Sequence, residues 1–512
     1  MSNKSEEKAE RFSNSGKADY PSDHNEAAKK EEEAEKKGSE VASNQAGEFK
    51  VPCFGGVKGN GSDFEMSEEE YTKLQKQEEK YREIGQKILG LADININGTR
   101  PWDMKINNPL IYRRVIQKGT LGLGEGFMEG WWDSNDFFAL DQFFSQALTG
   151  GIEYYFPNNA KDTMNILKAK LFNPQTKSKS KKVGLQHYDI GNTFFENMLG
   201  KYMQYSCAYW EKTVVGEEEE EDEKASKEEV VTRTTPPKRK SCIPGTRIVQ
   251  VKTLEEAQMI KLKMIGDKLN LTPRNGNDQD DAEHPLLEVL DVGCGWGGLA
   301  LFLAEHYYVK VTGITISEEQ KKMAQERTQH NGNITILNQD YRDMKFERKF
   351  NRIVSVGMFE HVGPKNYKTY FKHIHRLIDE TDEEAVFLLH TIGSKTTMDS
   401  ADQWYLKYIF PGGCLPSISN FGKSIEGLFV VEDLHNFGYF YGKTLLAWRE
   451  NFLNYWMTNP PERQREDGSM FFRTFYYFLS SSAGAFLCRD LQLWQTVLSV
   501  KGLKGYPHSV RP

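Results

Sequence analysis

The stretch Leu290-Asp291-Val292-Gly293-Cys294-Gly295-Trp296-Gly297-Gly298 constrains the fold more than any other part of the chain. A largely apolar run from Pro285 to Val292 leads into it, and Leu299, Leu301, Phe302 and Leu303 follow at helical spacing. That order is strand, tight glycine turn, helix. Glycine is needed where a backbone turns sharply or lies against a ligand. The helix that starts there presents unpaired N–H groups to the turn. Taken alone, the pattern fits a βα turn in any doubly wound fold.

The flanking sequence extends it. Strands are expected at 286–292, 309–315, 334–338, 350–356 and 385–391, with helices between them. Ser317-x-x-Gln320 is a capping box for the helix after the second strand. Strands alternating with helices mean a parallel, doubly wound α/β sheet, in which ligands bind outside the carboxyl ends of the strands. Gly293 and Gly295 follow the first strand, Thr315 ends the second, Asp340 and Tyr341 follow the third, Glu360 follows the fourth, and His390 ends the fifth. All point at one rim. Two cofactors compete for such a rim. A dinucleotide site wants G-x-G-x-x-G and an acid about 20 residues later. This turn reads G-x-G-x-G-G, and the strand Val309–Thr315 ends without an acid. NAD is disfavoured and S-adenosylmethionine favoured.

Together with Tyr205-Ser206-Cys207-Ala208-Tyr209-Trp210, Met358-Phe359-Glu360-His361-Val362-Gly363-Pro364 and Leu388-Leu389-His390-Thr391-Ile392-Gly393, the turn closely resembles the cyclopropane-fatty-acyl-phospholipid synthases. It is similar, more distantly, to the mycolic acid cyclopropane synthases. The resemblance runs from about Tyr81 to about Ser499 and is broken by one insertion. It implies a Rossmann-like methyltransferase sheet with helical additions and a smaller N-terminal α+β domain implicated in lipid engagement and homodimer formation. It implies a reaction that places a methylene from S-adenosylmethionine across a cis double bond of an unsaturated phospholipid chain at a membrane surface. The implied holders of the methyl donor are Tyr205, Ser206, Gly293, Gly295, Thr315, Gln320, Asp340 and Tyr341. The implied base is a bound bicarbonate, cradled by Cys207, Glu360, His390, the Ile392 backbone and Tyr441. A carbocation in an apolar pocket needs such a base close by, no loose water, and negative charge facing it.

The residues leave several roles open. His390 and Tyr441 can donate hydrogen bonds to an anion. Glu360 either accepts the anion's proton or orients His390. Cys207 contributes through its backbone N–H or, as a free thiol, as a nucleophile. Without the resemblance Glu360 reads as a helix-start carboxylate, His361 as structural, and His390, among Leu388, Leu389 and Ile392, as a satisfied core histidine. Tyr439 rivals Tyr441, and the spacing to Thr444-Leu445 selects Tyr441. Some relatives carry a cysteine where this chain has Ser482, so no scheme that needs a thiol there applies. A methyltransferase that leaves a methyl branch would share every motif. A non-catalytic lipid-binding relative is the third reading, opposed by the intact Glu360, His390 and glycine turn.

Composition sets the outer bounds. The chain has 512 residues and a net charge of −7, with no general attraction to nucleic acid. Its six cysteines lie far apart without a C-x-x-C pair, which argues against structural zinc, any other metal site and a disulfide framework. With no apolar leader and no apolar run of roughly 18 residues, a cytoplasmic protein peripherally associated with membrane is expected. Residues 1–65 read as a disordered polar tail, 70–172 as the N-terminal domain, 173–185 as a basic linker, and 186–505 as the catalytic domain with a disordered insertion at 214–250. A solvated linker is the default reading of the basic segment, and attraction of Lys177, Lys179, Lys181 and Lys182 to anionic headgroups, about 1 kcal/mol each, is the sharper alternative. The aromatic residues of the N-terminal domain read as core, with a lipid-docking surface as the sharper alternative. The stripe Phe471, Phe472, Phe475, Tyr476, Phe478 and Leu479 reads as core or as the wall of an acyl tunnel.

Overall fold

The computed structural model describes residues 68–152, 175, 191–215, 246–274, 285–398, 400–459, 468–504 and 510–512. The expected tail, the lysines of the basic linker and the acidic run 217–221 lie outside the described residues.

A seven-stranded sheet carries the site, in the order β10-β11-β9-β8-β5-β6-β7. Its strands are β5 (Leu287–Val292), β6 (Val309–Thr315), β7 (Ile334–Asn338), β8 (Arg352–Val356), β9 (Val386–Ser394), β10 (Val430–Asn436) and β11 (Leu491–Ser499). β5, β6, β7, β8 and β9 pair in parallel. β11 runs antiparallel between β9 and β10. The five parallel strands are the expected Rossmann-like sheet; the sequence also points to a strand near 428–431, seen as β10, and omits β11. The parallel strands are apolar almost throughout because both faces are covered. One face packs Leu262, Ile265, Leu303 and Val311 from helices α5 (Leu254–Lys268) and α6 (Gly298–His306) and the strands beneath. The other packs Tyr370, Phe371 and Ile374 of α8 (Tyr367–Leu377) against Leu290, Ile353 and Phe387. α7 (Glu318–Thr328) follows β6 in the chain and packs Ala324 into the first of these faces.

The N-terminal elements are α1 (Glu68–Leu91), β1 (Met104–Ile106), α2 (Ile111–Met128), β2 (Trp132–Ser134) and α3 (Leu140–Thr149). Their aromatic residues are mostly core: Phe127, Trp132 and Phe143 are fully buried, whereas Phe138 is 47% exposed. Residues 94–98, where the sequence suggests a short strand and a turn, form a single bridge, Ile96 to Met104, with Asn97 turning the chain at φ +51°. After α4 (Asn192–Leu199), a hairpin of β3 (Glu211–Val215) and β4 (Thr246–Gln250) corrects the reading of 214–250 as loop throughout. Both ends of that segment are paired strand, and 216–245 lies outside the described residues.

The remaining helices are α9 (Gln403–Tyr408), α10 (Ile418–Ile425), α11 (Tyr439–Thr458) and α12 (Gly468–Leu487). α12 is buried along nearly its whole length and ties the N-terminal elements to the sheet. Arg473, 1% exposed, is its anchor. The guanidinium donates to the carbonyls of Phe127 and Trp132 and to the Asp133 carboxylate, and sits 4.1 Å from the Phe127 ring centroid. Removing one partner of a buried pair costs about 3–5 kcal/mol. Arg473→Ala is therefore expected to lower the calorimetric unfolding midpoint by several degrees, and a midpoint within one degree of the parent would mean that the anchor holds nothing. No helix among the described residues is long and apolar enough to cross a membrane.

Candidate active site

The carboxyl ends of β5, β6, β7 and β8 frame a cavity of about 210 Å³. Gly293, Gly295 and Gly297 adopt φ of +91°, +54° and +78°, which reverses the chain between β5 and α6. The turn is held by the N–H groups of Gly293 and Cys294, both donating to the Ile314 carbonyl at 2.9 Å. Tyr205, Ser206, Gly293, Gly295, Thr315, Gln320, Asp340 and Tyr341, all the residues expected at the methyl donor, line this cavity.

Their side chains are arranged by local chemistry. Ser317 caps α7 by accepting from the Gln320 N–H at 3.3 Å, as the capping box predicts. The Gln320 side chain, however, turns to Thr315, whose hydroxyl donates to Oε1 at 2.9 Å. The Gln320 amide N–H groups are what that residue offers a ligand. Asp340 lines the cavity, and its carboxylate accepts from Arg342 Nε at 2.8 Å and from the Arg342 backbone at 2.9 Å. The Tyr341 hydroxyl has no hydrogen-bond partner among the described residues, and burial pushes it up to about 12. His361, expected to be structural, also lines the cavity, 6.0 Å from Phe410.

Residues 203–206 wall off the cavity's other side and are pinned from α5. The Gln258 amide donates to the Ser206 carbonyl at 3.0 Å. Lys261 Nζ donates to Gln204 Oε1 at 2.6 Å and to the Ser206 hydroxyl at 3.0 Å. Lys261 is fully buried, and desolvation lowers it to about 7, while desolvation raises the nearby Asp291 carboxyl to about 7. Lys261 was not legible as a site residue: it sits on the apolar face of α5, where a lysine carries no periodic signal.

Next to the cavity, in sequence and in space, lie the expected anion-cradle residues. Glu360 follows β8 in the turn Phe359–His361 and is 8% exposed. Its Oε1 accepts from the Ile392 N–H at 2.7 Å, and burial raises the carboxyl to about 7. The Ile392 N–H is thus spent on Glu360 rather than left open for an anion. His390 on β9 is 1% exposed; Nδ1 lies 3.2 Å from Gln495 Nε2. Burial, with Lys261 and Lys268, holds the imidazole well below its ordinary range. Tyr441 lies in the first turn of α11, its ring 4.6 Å from Phe486. Its hydroxyl is pushed up by burial first and then by Cys207, Glu360 and Tyr205, so these groups share one electrostatic neighbourhood. Tyr439, the rival, is half-buried and shifted by burial alone. The Cys207 thiol is fully buried, donates to the Ala208 carbonyl at 3.2 Å, and is held well above its ordinary range by desolvation. A thiol held in its neutral form is a poor nucleophile.

Two buried polar atoms in this group have no partner among the described residues, Glu360 Oε2 and His390 Nε2. Such atoms are costly unless something pairs with them. The aromatic stripe of α12 is core, but Phe478 lies 5.6 Å from Phe410, which lines the cavity. Ser482, the position of cysteine in some relatives, hydrogen-bonds the Tyr405 hydroxyl at 2.8 Å.

Residues 175–496 match the family model described as mycolic acid cyclopropane synthetase. The chain is 46% identical over 416 residues to the cyclopropane-fatty-acyl-phospholipid synthase of Escherichia coli, covering 81% of this chain and 92% of the relative. It is 33% identical over 297 residues to a probable fatty acid methyltransferase of Pseudomonas putida, covering 55% of this chain and 61% of the relative. The crystal structure of coclaurine N-methyltransferase bound to N-methylheliamine and SAH shares the fold, with a TM-score of 0.52 at 17% identity, over 74% of this chain and 99% of that one.

Proposed function

Since the chain belongs to the cyclopropane synthase family, we propose that it is a cyclopropane-fatty-acyl-phospholipid synthase working on unsaturated phospholipid at a membrane surface. S-adenosylmethionine is the methyl donor. It would lie under the glycine turn, with Gln320 and the segment Tyr205–Ser206 as its polar contacts. The double-bond carbon attacks the sulfonium methyl and S-adenosylhomocysteine leaves. The cation formed on the chain loses a proton from the new methyl, and the ring closes.

The observation that carries this reading is the pair of buried atoms with no partner among the described residues, Glu360 Oε2 and His390 Nε2, with Tyr441 in the electrostatic neighbourhood of Glu360. They fit a small protonated oxyanion. Glu360 supplies an acceptor, while His390 and Tyr441 supply donors. A bicarbonate held there would supply the base for proton removal. Glu360 keeps its orientation through the Ile392 N–H. The neutral Cys207 thiol and the apolar rings of Phe486 and Trp448 around Tyr441 exclude water. Exclusion of water keeps the cation from being quenched. Phe410 and Phe478 lead from the cavity toward α12 and are offered as the acyl wall.

Incubating the full chain with methyl-labelled S-adenosylmethionine and vesicles of unsaturated phospholipid tests the reading. Label is expected in acyl chains one carbon heavier, with the fragmentation of a ring. Branch fragmentation would replace synthase by the methyl-branching reading. Label absent from lipid would end both.

A further inference from the structure

One buried polar side chain beside the cluster has no role in the reading above. Gln495 lies on β11, fully buried, and is the direct register partner of His390 across the β9–β11 ladder. Its Nε2 is 3.2 Å from His390 Nδ1. A neutral imidazole carries one proton, and the partner at one nitrogen decides what the other offers. His390 is held neutral by burial and by the positive charges of Lys261 and Lys268. Which ring nitrogen carries its single proton is therefore decided by the partner at Nδ1. If the Gln495 amide were reversed, Nδ1–H would donate to it and Nε2 would turn a lone pair toward the cluster. The reversal would also leave the amide nitrogen, with its two N–H donors, where the carbonyl oxygen now stands, whereas the observed orientation leaves the carbonyl oxygen unpaired among the described residues. Unpaired buried carbonyls are the better tolerated of the two. With the Ile392 N–H already given to Glu360, a lone pair on His390 would also remove a donor that an anion there needs.

Building on the function proposed above, we propose that Gln495 is a positioning residue: its amide N–H donates to His390 Nδ1, fixes the imidazole proton on Nε2, and so makes His390 a hydrogen-bond donor to the anion. The role is that of an outer partner which sets a ring's tautomer and orientation.

The test is a long-range ¹H–¹⁵N correlation spectrum of histidine-labelled protein at neutral pH, with His390 assigned by its absence in His390→Asn. Wild type is expected to show a protonated Nε2 and a bare Nδ1. In Gln495→Leu that signature gives way to a mixture, and kcat falls about 10- to 100-fold, with KM for S-adenosylmethionine and affinity for S-adenosylhomocysteine unchanged. A wild-type spectrum with the proton on Nδ1 overturns the proposal. So does a Leu variant that turns over at the parent rate. Should the Leu variant not fold, the wild-type spectrum decides alone. The spectrum needs neither lipid nor turnover, so the expected tautomer in a protein that transfers nothing to vesicles defeats the synthase reading and not this one.

Discussion

Glu360→Gln is expected to lower kcat by about 10²- to 10⁴-fold, the range for losing an acid–base group, while the fold and the affinity for S-adenosylhomocysteine stay as they are. The substitution separates the two halves of the carboxylate. Oε1 accepts from the Ile392 N–H at 2.7 Å, and the glutamine oxygen keeps that bond. Oε2 has no partner among the described residues, and the amide places a donor where an acceptor stood. Stability therefore changes little and the chemistry is lost. The pH profile carries the same argument. Burial raises Glu360 to about 7, so the carboxylate, the form able to accept a proton, is lost as pH falls through about 7. Wild-type kcat/KM should decline on that side. Asp291 and Lys261 are also brought to about 7, so the variant assigns the limb. Residual activity in Glu360→Gln is expected to be flatter below pH 7. A variant with parent kcat, or with the parent's acid limb intact, would remove Glu360 from the chemistry.

What could be read from the sequence follows from range of interaction. β5 to β9 were legible because each is a short apolar run bounded by turn residues, and the glycine turn after β5 fixes strand and helix at once. β11 was not. Gln492 and Gln495 interrupt its apolar run, although Gln495 is fully buried, because that glutamine's partner is His390, more than a hundred residues earlier. The β3–β4 hairpin failed for the same reason: its strands are separated by a charged insertion, so no local turn announces the pairing. Charged residues on buried faces, Lys261 and Arg473, are likewise explained only by tertiary partners. The rim positions of Gly293, Thr315, Asp340 and Glu360 needed only the strand ends. Their chemistry needed the family resemblance. The Arg342 fork on Asp340 and the use of the Ile392 N–H by Glu360 needed coordinates.

Gly295→Ala and Gly298→Ala, one methyl each in the same turn, are expected to fail in opposite ways. A Cβ on Gly295 would meet nothing within 4 Å, because that glycine lines the cavity. The protein bears only the strain of φ +54°, about 1–2 kcal/mol for an L residue in the left-handed region. The methyl instead occupies space meant for a ligand against the backbone. S-adenosylhomocysteine affinity should fall about 100-fold, or about 2.7 kcal/mol, with the unfolding midpoint down by a few degrees at most. A Cβ on Gly298 would lie 2.1 Å from the Tyr202 carbonyl oxygen and 2.6 Å from Gln204 Nε2. That carbonyl is backbone leading into the segment that Lys261 and Gln258 pin from α5, so neither side yields without moving the cavity wall. Overpacking of this kind costs about 3 kcal/mol, so the main loss is stability, with weaker binding as its consequence. Calorimetry of both variants, with and without S-adenosylhomocysteine, reads the two effects separately. If Gly295→Ala bound like the parent while Gly298→Ala kept its midpoint, the turn would be an ordinary strand–helix connection and the cavity would not be the seat of the methyl donor.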